Sequence, residues 1–169
     1  EYKYSKIKID LNSAKYIVPG KNIFIEKAKM YPSLIRFIFL DKIMELGWQH
    51  YALKMIFDEG YKDWEDIYHI FKLQDELSIV AHAIVESKYY SGEINRFDSF
   101  LFLKEMAFMD SSSIEVALTK SDLEYFSGTQ SFVGLLELIS LKAKFQLSMP
   151  ENFKLISFHD FIFKDGIIP

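Results

Sequence analysis

The chain contains no cysteine. That absence removes disulfides, thiolate zinc sites, iron–sulfur clusters and cysteine nucleophiles together. It suits a reducing compartment, and a cytoplasmic setting is the expectation. Glycine and proline are scarce, at seven and four residues. Neither GxxxxGK[ST] nor GxGxxG occurs, so the common phosphate cradles, which need glycine to let backbone N–H groups approach the ligand, are excluded. The nucleophile elbow GxSxG is missing as well. No apolar run reaches the roughly 18–20 residues that span a bilayer, and the longest candidate, "LIRFIFLDKIM", carries Arg36. No membrane association is expected. No signal sequence is read, and the chain begins at Glu1 rather than Met, which suggests a trimmed N-terminus.

What is present is a globular composition. Half of the 169 residues are hydrophobic and 17% are aromatic, dominated by 16 Phe and 10 Tyr. A chain of this length fits one domain, 1–169, able to bury about two-thirds of its unfolded surface without staples. The net charge of −4 is uneven. Residues 1–31 carry seven lysines against three acids, a local excess of +4, and the remainder carries 13 basic against 21 acidic residues, a local −8. An acidic body disfavours nucleic acid, which needs a basic face, and suits a basic protein partner.

The pattern along the chain predicts a mainly α (α+β) fold: a multi-helix domain with a small antiparallel β element. In the basic region 1–31, "EYKYSKIKIDL" alternates apolar and polar residues as a half-exposed strand does. Pro19-Gly20 suits a type II turn into "NIFI", so the region reads as a β-ribbon. The helical body is 32–150. Ser33 is placed to cap a helix carrying Leu34, Phe37, Ile38 and Ile43, which Gly47 divides before Gly60 closes it. Asp63 is the next expected N-cap, with Asp66 at N3. Trp64, Ile67, Ile70 and Phe71 share one helical face, while Leu73, Leu77, Val80 and Ile84 share another rotated by about 100°. That offset predicts a bend or break near Lys72–Asp75. Residues 96–109 are apolar almost all round and read as a central helix or buried strand. Ser111, Ser112 and Ser113 are expected to cap the next helix. In "TQSFVGLLELISLKAKFQL", Phe132, Leu136, Ile139, Ala143 and Leu147 form one stripe, ended by Pro150. The tail 151–169 reads as short strands able to pair with the N-terminal ribbon.

Candidate chemistry centres on the histidines and acids. Glu65 and His69 stand at i,i+4, as do His82 and Glu86, a spacing that helical metal sites use. HExxH is absent, and both histidines lie opposite the apolar stripes, so they are expected to face water as ion-paired surface groups. No metal and no cofactor are expected. His159-Asp160 could supply part of a triad, and Arg36 and Arg96 lack the RxxxxH spacing of some helical ribonucleases. Tyr2, Tyr4 and Tyr16 between lysines can stack bases, but lysines on an edge strand more often block edge pairing.

The densest feature is acidic. Asp58, Glu59, Asp63, Glu65, Asp66, Asp75 and Glu76 place seven carboxylates within nineteen residues, with Tyr61 and Tyr68 among them. Such a run is either a solvated face or a docking surface for a basic partner, and interleaved aromatics favour docking. The expectation is therefore a non-enzymatic protein-binding module, in its most specific form an immunity or antitoxin-like protein of bacterial type neutralising a basic toxin. The alternatives are an enzyme with a non-standard site on His69, Glu65 or His159, and a structural or oligomeric accessory protein.

Overall fold

The structure is a computed structural model describing residues 2–30, 41–63 and 65–164. Ser33, Leu34, Arg36, Phe37, Ile38 and Trp64, singled out above, lie outside the described residues. Eight helices run through the described chain: α1 (Tyr2–Tyr16), α2 (Lys21–Lys29), α3 (Lys42–Asp58), α4 (Asp66–Tyr90), α5 (Arg96–Met106), α6 (Ser111–Leu123), α7 (Ser127–Ser148) and α8 (Leu155–Phe163). There is no strand among the described residues. The antiparallel β element is thus overturned at both ends of the chain. The chain groups into two compact units, one from Glu1–Glu59 and Val133–Pro169, the other Gly60–Phe132.

In the first unit, α1 is helical because Ile7, Leu11 and Ala14 fall on one face and are buried. Ile9, which supplied the apparent alternation, points outward. Pro19-Gly20 turns the chain between two helices rather than two strands, and the Pro19 carbonyl accepts a hydrogen bond from Trp48 Nε1 at 3.0 Å. Asp41 caps α3 through the Ile43 N–H at 2.9 Å. Buried Glu45 fixes α2 to α3 through Lys21 Nζ at 2.9 Å, with Lys42 Nζ at 3.4 Å. Burial would raise its pKa, but the two ammonium groups outweigh this and hold the carboxyl below its ordinary value.

Gly47 does not divide α3. A Cβ there would run into the backbone of Gly134 and Leu135, so the glycine is spent on a close crossing of α3 and α7. Beside that crossing lies an aromatic core. Trp48 stacks edge-on to Phe163 at 5.0 Å and sits 5.3 Å from Tyr51, and Phe24 meets Phe163 at 5.9 Å. The tail supplies Phe158, His159 and Phe163 from a helix, because that geometry alone turns Phe158 and Phe163 inward while Ile156 and Phe161 stay outside.

The second unit packs α4, α5 and α6 in sequence around Ala81, Val85, Leu103, Ala107, Ile114 and Leu118. Residues 96–106 form a helix with an Asn95/Asp98 capping box; its Ser99 and Leu103 are fully buried, whereas Phe97, Met106 and Phe108 are exposed. Asp110, not the serines, caps α6; its carboxylate accepts from the Ser113 N–H at 3.0 Å and from the Ser112 and Ser113 hydroxyls. α4 starts at Asp66 after Glu65 rather than at Asp63, and continues through Lys72–Asp75 without a break. α7 begins at Ser127 in this unit and runs on into the other. Its buried positions are Ser127, Gly128, Ser131, Gly134, Leu135 and Leu138, so the expected stripe is misplaced: Leu136, Ala143 and Leu147 face outward.

Candidate functional site

Three of the acids in the 58–76 run stand beside lysines and a fourth beside a histidine. In the first unit, Asp58 Oδ1 pairs with Lys54 Nζ at 3.2 Å, and Asp58 and Glu59 are exposed. Together these two carboxylates and the burial of Tyr51 raise the pKa of the Tyr51 hydroxyl, burial contributing most. In the second unit, Glu65 Oε1 is 3.1 Å from Lys62 Nζ, Glu76 Oε1 is 3.6 Å from Lys72 Nζ, and Asp63 Oδ1 is 3.7 Å from His69 Nε2. Asp66 is exposed and opens α4. Asp75 is half-buried, its carbonyl accepting from Ser78 Oγ at 2.8 Å. Tyr68 is fully buried, with Tyr61 edge-on at 6.1 Å and Lys62 Nζ 5.3 Å above its ring. The segment therefore presents a wet, mixed-charge surface whose tyrosines turn toward the core.

A second constellation is one that sequence reasoning placed in water. The His82 side chain is only 15% exposed and that of Glu86 2%. Glu86 accepts four hydrogen bonds: from Ser121 Oγ at 2.6 Å, Gly128 N at 3.0 Å, Thr129 N at 2.7 Å and Thr129 Oγ1 at 2.9 Å. The two amides belong to the first turn of α7, where N–H groups have no intrahelical acceptor. Glu86 is thus the N-cap of α7, supplied from another helix, and its charge faces the positive end of the helix dipole. Burial pushes its pKa up, but the hydroxyl and the two amides outweigh burial, so the carboxyl lies below the ordinary glutamate range.

His82 Nε2 lies 2.9 Å from Ser121 Oγ. The single Ser121 proton goes to Glu86, so the hydroxyl accepts from His82, and Nε2 carries the hydrogen. Burial lowers the His82 pKa, against the opposing pull of Glu86. A serine that gives its proton to a structural carboxylate, and faces the protonated nitrogen of its histidine, is held as a hydrogen-bond relay rather than as a nucleophile. Gly128 makes room for the ring: a Cβ there would stand 2.7 Å from His82 Nδ1. The i,i+4 spacing of His82 and Glu86 was legible. That the pair faces α6 and α7 was not.

In the first unit, His159 Nε2 is 3.1 Å from Tyr51 Oη, and its pKa is lowered by burial and then by Lys142. It sits in the aromatic core, 5.3 Å from Trp48. Among the described residues, no serine is seen to hydrogen-bond His159. Arg96, the first residue of α5, binds Glu115 and Asp122 of α6 at the surface, and these three side chains close an exposed ion-pair network. Among the described residues no group of three or more His, Asp and Glu is placed to hold a metal, and no helix is long and apolar enough to cross a membrane.

Comparison with known proteins gives a family and a fold. A family profile described as "Bacterial protein of unknown function (DUF885)" matches residues 16–169. No curated protein matches the chain. A solved structure, that of a candidate lipoprotein of unknown function from Shewanella oneidensis, superposes over 95% of the chain with a TM-score of 0.85 at 19% identity. The chain spans 30% of that protein's length. The likeness is one of fold.

Proposed function

The chain belongs to the DUF885 family of bacterial proteins, and from that premise we propose that it works as a non-enzymatic protein-binding module whose partner is basic. The observation that carries the reading is the acidic run of the second unit: Asp63 and Asp66 are exposed, and Glu65 and Glu76 are half-exposed. Their paired lysines, Lys62 and Lys72, keep 28% and 19% of their side chains exposed, in i,i+3 and i,i+4 contacts worth about 0–1 kcal/mol each. A partner bringing arginines or lysines in bidentate geometry would displace them at little cost. Carboxylates in that setting raise the encounter rate and select a partner of opposite charge. The buried His82, Ser121 and Glu86 support a binder over a hydrolase, because their hydrogen-bond directions leave no free base beside the hydroxyl. Within this reading, neutralisation of a basic toxin domain is the narrowest form, and it rests on the charge of the segment.

The test is capture from a bacterial lysate on immobilised wild-type protein and on the double charge reversal Asp63→Lys with Glu76→Lys, read by quantitative mass spectrometry. A basic protein retained by the wild type, depleted on the variant and released as salt shortens the screening length is the expected result. A retained set that is the same on both surfaces refutes the reading.

A further inference from the structure

α4 carries an apolar stripe on its outer side. Ile70, Leu73, Leu77, Val80 and Ile84 recur at intervals of three and four residues, and each is between 38% and 60% exposed. This is the a/d spacing of a coiled-coil seam, about two turns per repeat. It adjoins the face that α4 buries through Tyr68, Ile79, Ala81, Val85 and Glu86. Helical spacing puts Asp66 in line with the stripe at one end and Lys88 at its edge at the other. Each stands eleven positions from Leu77 in the sequence. Lys88 makes an exposed contact with Glu93, at 3.6 Å.

We propose that this stripe is the seam of an antiparallel homodimer, with the two-fold axis passing beside Leu77. In that arrangement Leu77 faces its copy, Ile70 faces Ile84, Leu73 lies against the Val80 turn, and Asp66 of each chain faces Lys88 of the other. A parallel pairing sets Asp66 against Asp66 and Lys88 against Lys88, so charge selects the antiparallel form. The seam runs about 33 Å at 1.5 Å per residue. A single helix pair of that length buries less than the standard interface of about 1,600 Å², so association is of the weak, concentration-dependent kind. Gln74 Nε2, beside the stripe, donates to the Phe108 carbonyl at 2.7 Å, and the Phe108 side chain is exposed. The two-fold also carries the Glu76 flank of both copies to the same side. This inference does not rest on the proposed basic partner.

The cysteine-free chain makes the test direct. Leu77→Cys, mildly oxidised, should give a covalent dimer on a non-reducing gel. Leu123→Cys, on the exposed face of α6, should give far less under the same conditions. Asp66→Cys mixed with Lys88→Cys should cross-link faster than either variant alone. Sedimentation of the wild type, followed from micromolar to about 1 mM chain, should show mass rising toward twice the monomer. Leu77→Glu should abolish the rise while the helical circular dichroism stays unchanged. A wild-type mass that stays monomeric across that range overturns the dimer, as does Leu77→Cys cross-linking no faster than Leu123→Cys. Asp66→Cys cross-linking alone as fast as the mixture overturns the antiparallel register.

Discussion

Glu86 offers the sharpest test of the packing argument. Glu86→Ala removes the acceptor of four hydrogen bonds and leaves two α7 amides and the Ser121 and Thr129 hydroxyls facing a void. A lost N-cap costs about 0.5–2 kcal/mol. Hydrogen bonds to a charged acceptor are worth about 1.5–3 kcal/mol each, but they act here as one group and do not add. The expected loss is about 3–5 kcal/mol, within the range for breaking a buried charged network. That is a large part of the 5–15 kcal/mol typical of a folded domain and equals roughly 10 °C in Tm for a chain of this size. Glu86→Gln keeps one acceptor oxygen but turns an NH2 toward existing donors, so its loss should be about half as large.

The pH dependence has a defined sign. Both Glu86 and His82 have depressed folded pKa values. Each contributes stability that is full above its unfolded pKa and lost as pH falls through its folded pKa. Stability should therefore decline below about pH 6.5 from His82 and again below about pH 4.5 from Glu86. The second decline should be smaller in Glu86→Gln. Urea unfolding followed by circular dichroism, with hydrogen exchange at Gly128 and Thr129, measures all of this. A loss under about 1 kcal/mol in Glu86→Ala, with those two amides still protected, would refute the assignment of Glu86 as the cap of α7.

Two further substitutions probe the packing. Gly47→Ala should destabilise by about 2 kcal/mol in chemical denaturation, although alanine is the better helix former by about 1 kcal/mol, because its methyl enters the Gly134 backbone; a gain in stability would disprove the close crossing. Ser127→Ala should be neutral or stabilising by up to about 1 kcal/mol in the same assay, since Ser127 Oγ is buried with no partner among the described residues; a loss above about 1 kcal/mol would reveal a partner.

The helical body was legible in the sequence where local signals agreed: α3 closing at Gly60, and α7 ending before Pro150. The N-terminal region misled because Ile7 and Ile9 mimic strand alternation, while the deciding contacts of Ile7, Leu11 and Ala14 lie with residues far along the chain. The tail misled for a similar reason, its Phe and Ile having strong β preference that burial against Trp48 and Phe24 overrides. On α4 the error was one of facing. Leu73, Leu77, Val80 and Ile84 form the more apolar stripe, so they were assigned inward, yet the inward face holds Ala81, Val85, His82 and Glu86. Sequence periodicity finds an apolar face but cannot tell a core from a docking seam. The buried Glu86 was beyond reach, because its four donors come from Ser121, Gly128 and Thr129, more than thirty positions away.

The two units are threaded differently, and this bears on how the chain is made. Gly60–Phe132 is one uninterrupted stretch whose helices pack in the order they are synthesised, so it can close while translation continues. The other unit joins segments that flank that entire stretch, and its aromatic core is incomplete until Phe158 and Phe163 arrive on α8. During synthesis Phe24, Trp48 and Tyr51 precede Phe158 and Phe163, their partners in that core, by the whole of the inserted unit. Apolar surface left open over such an interval favours aggregation or chaperone capture.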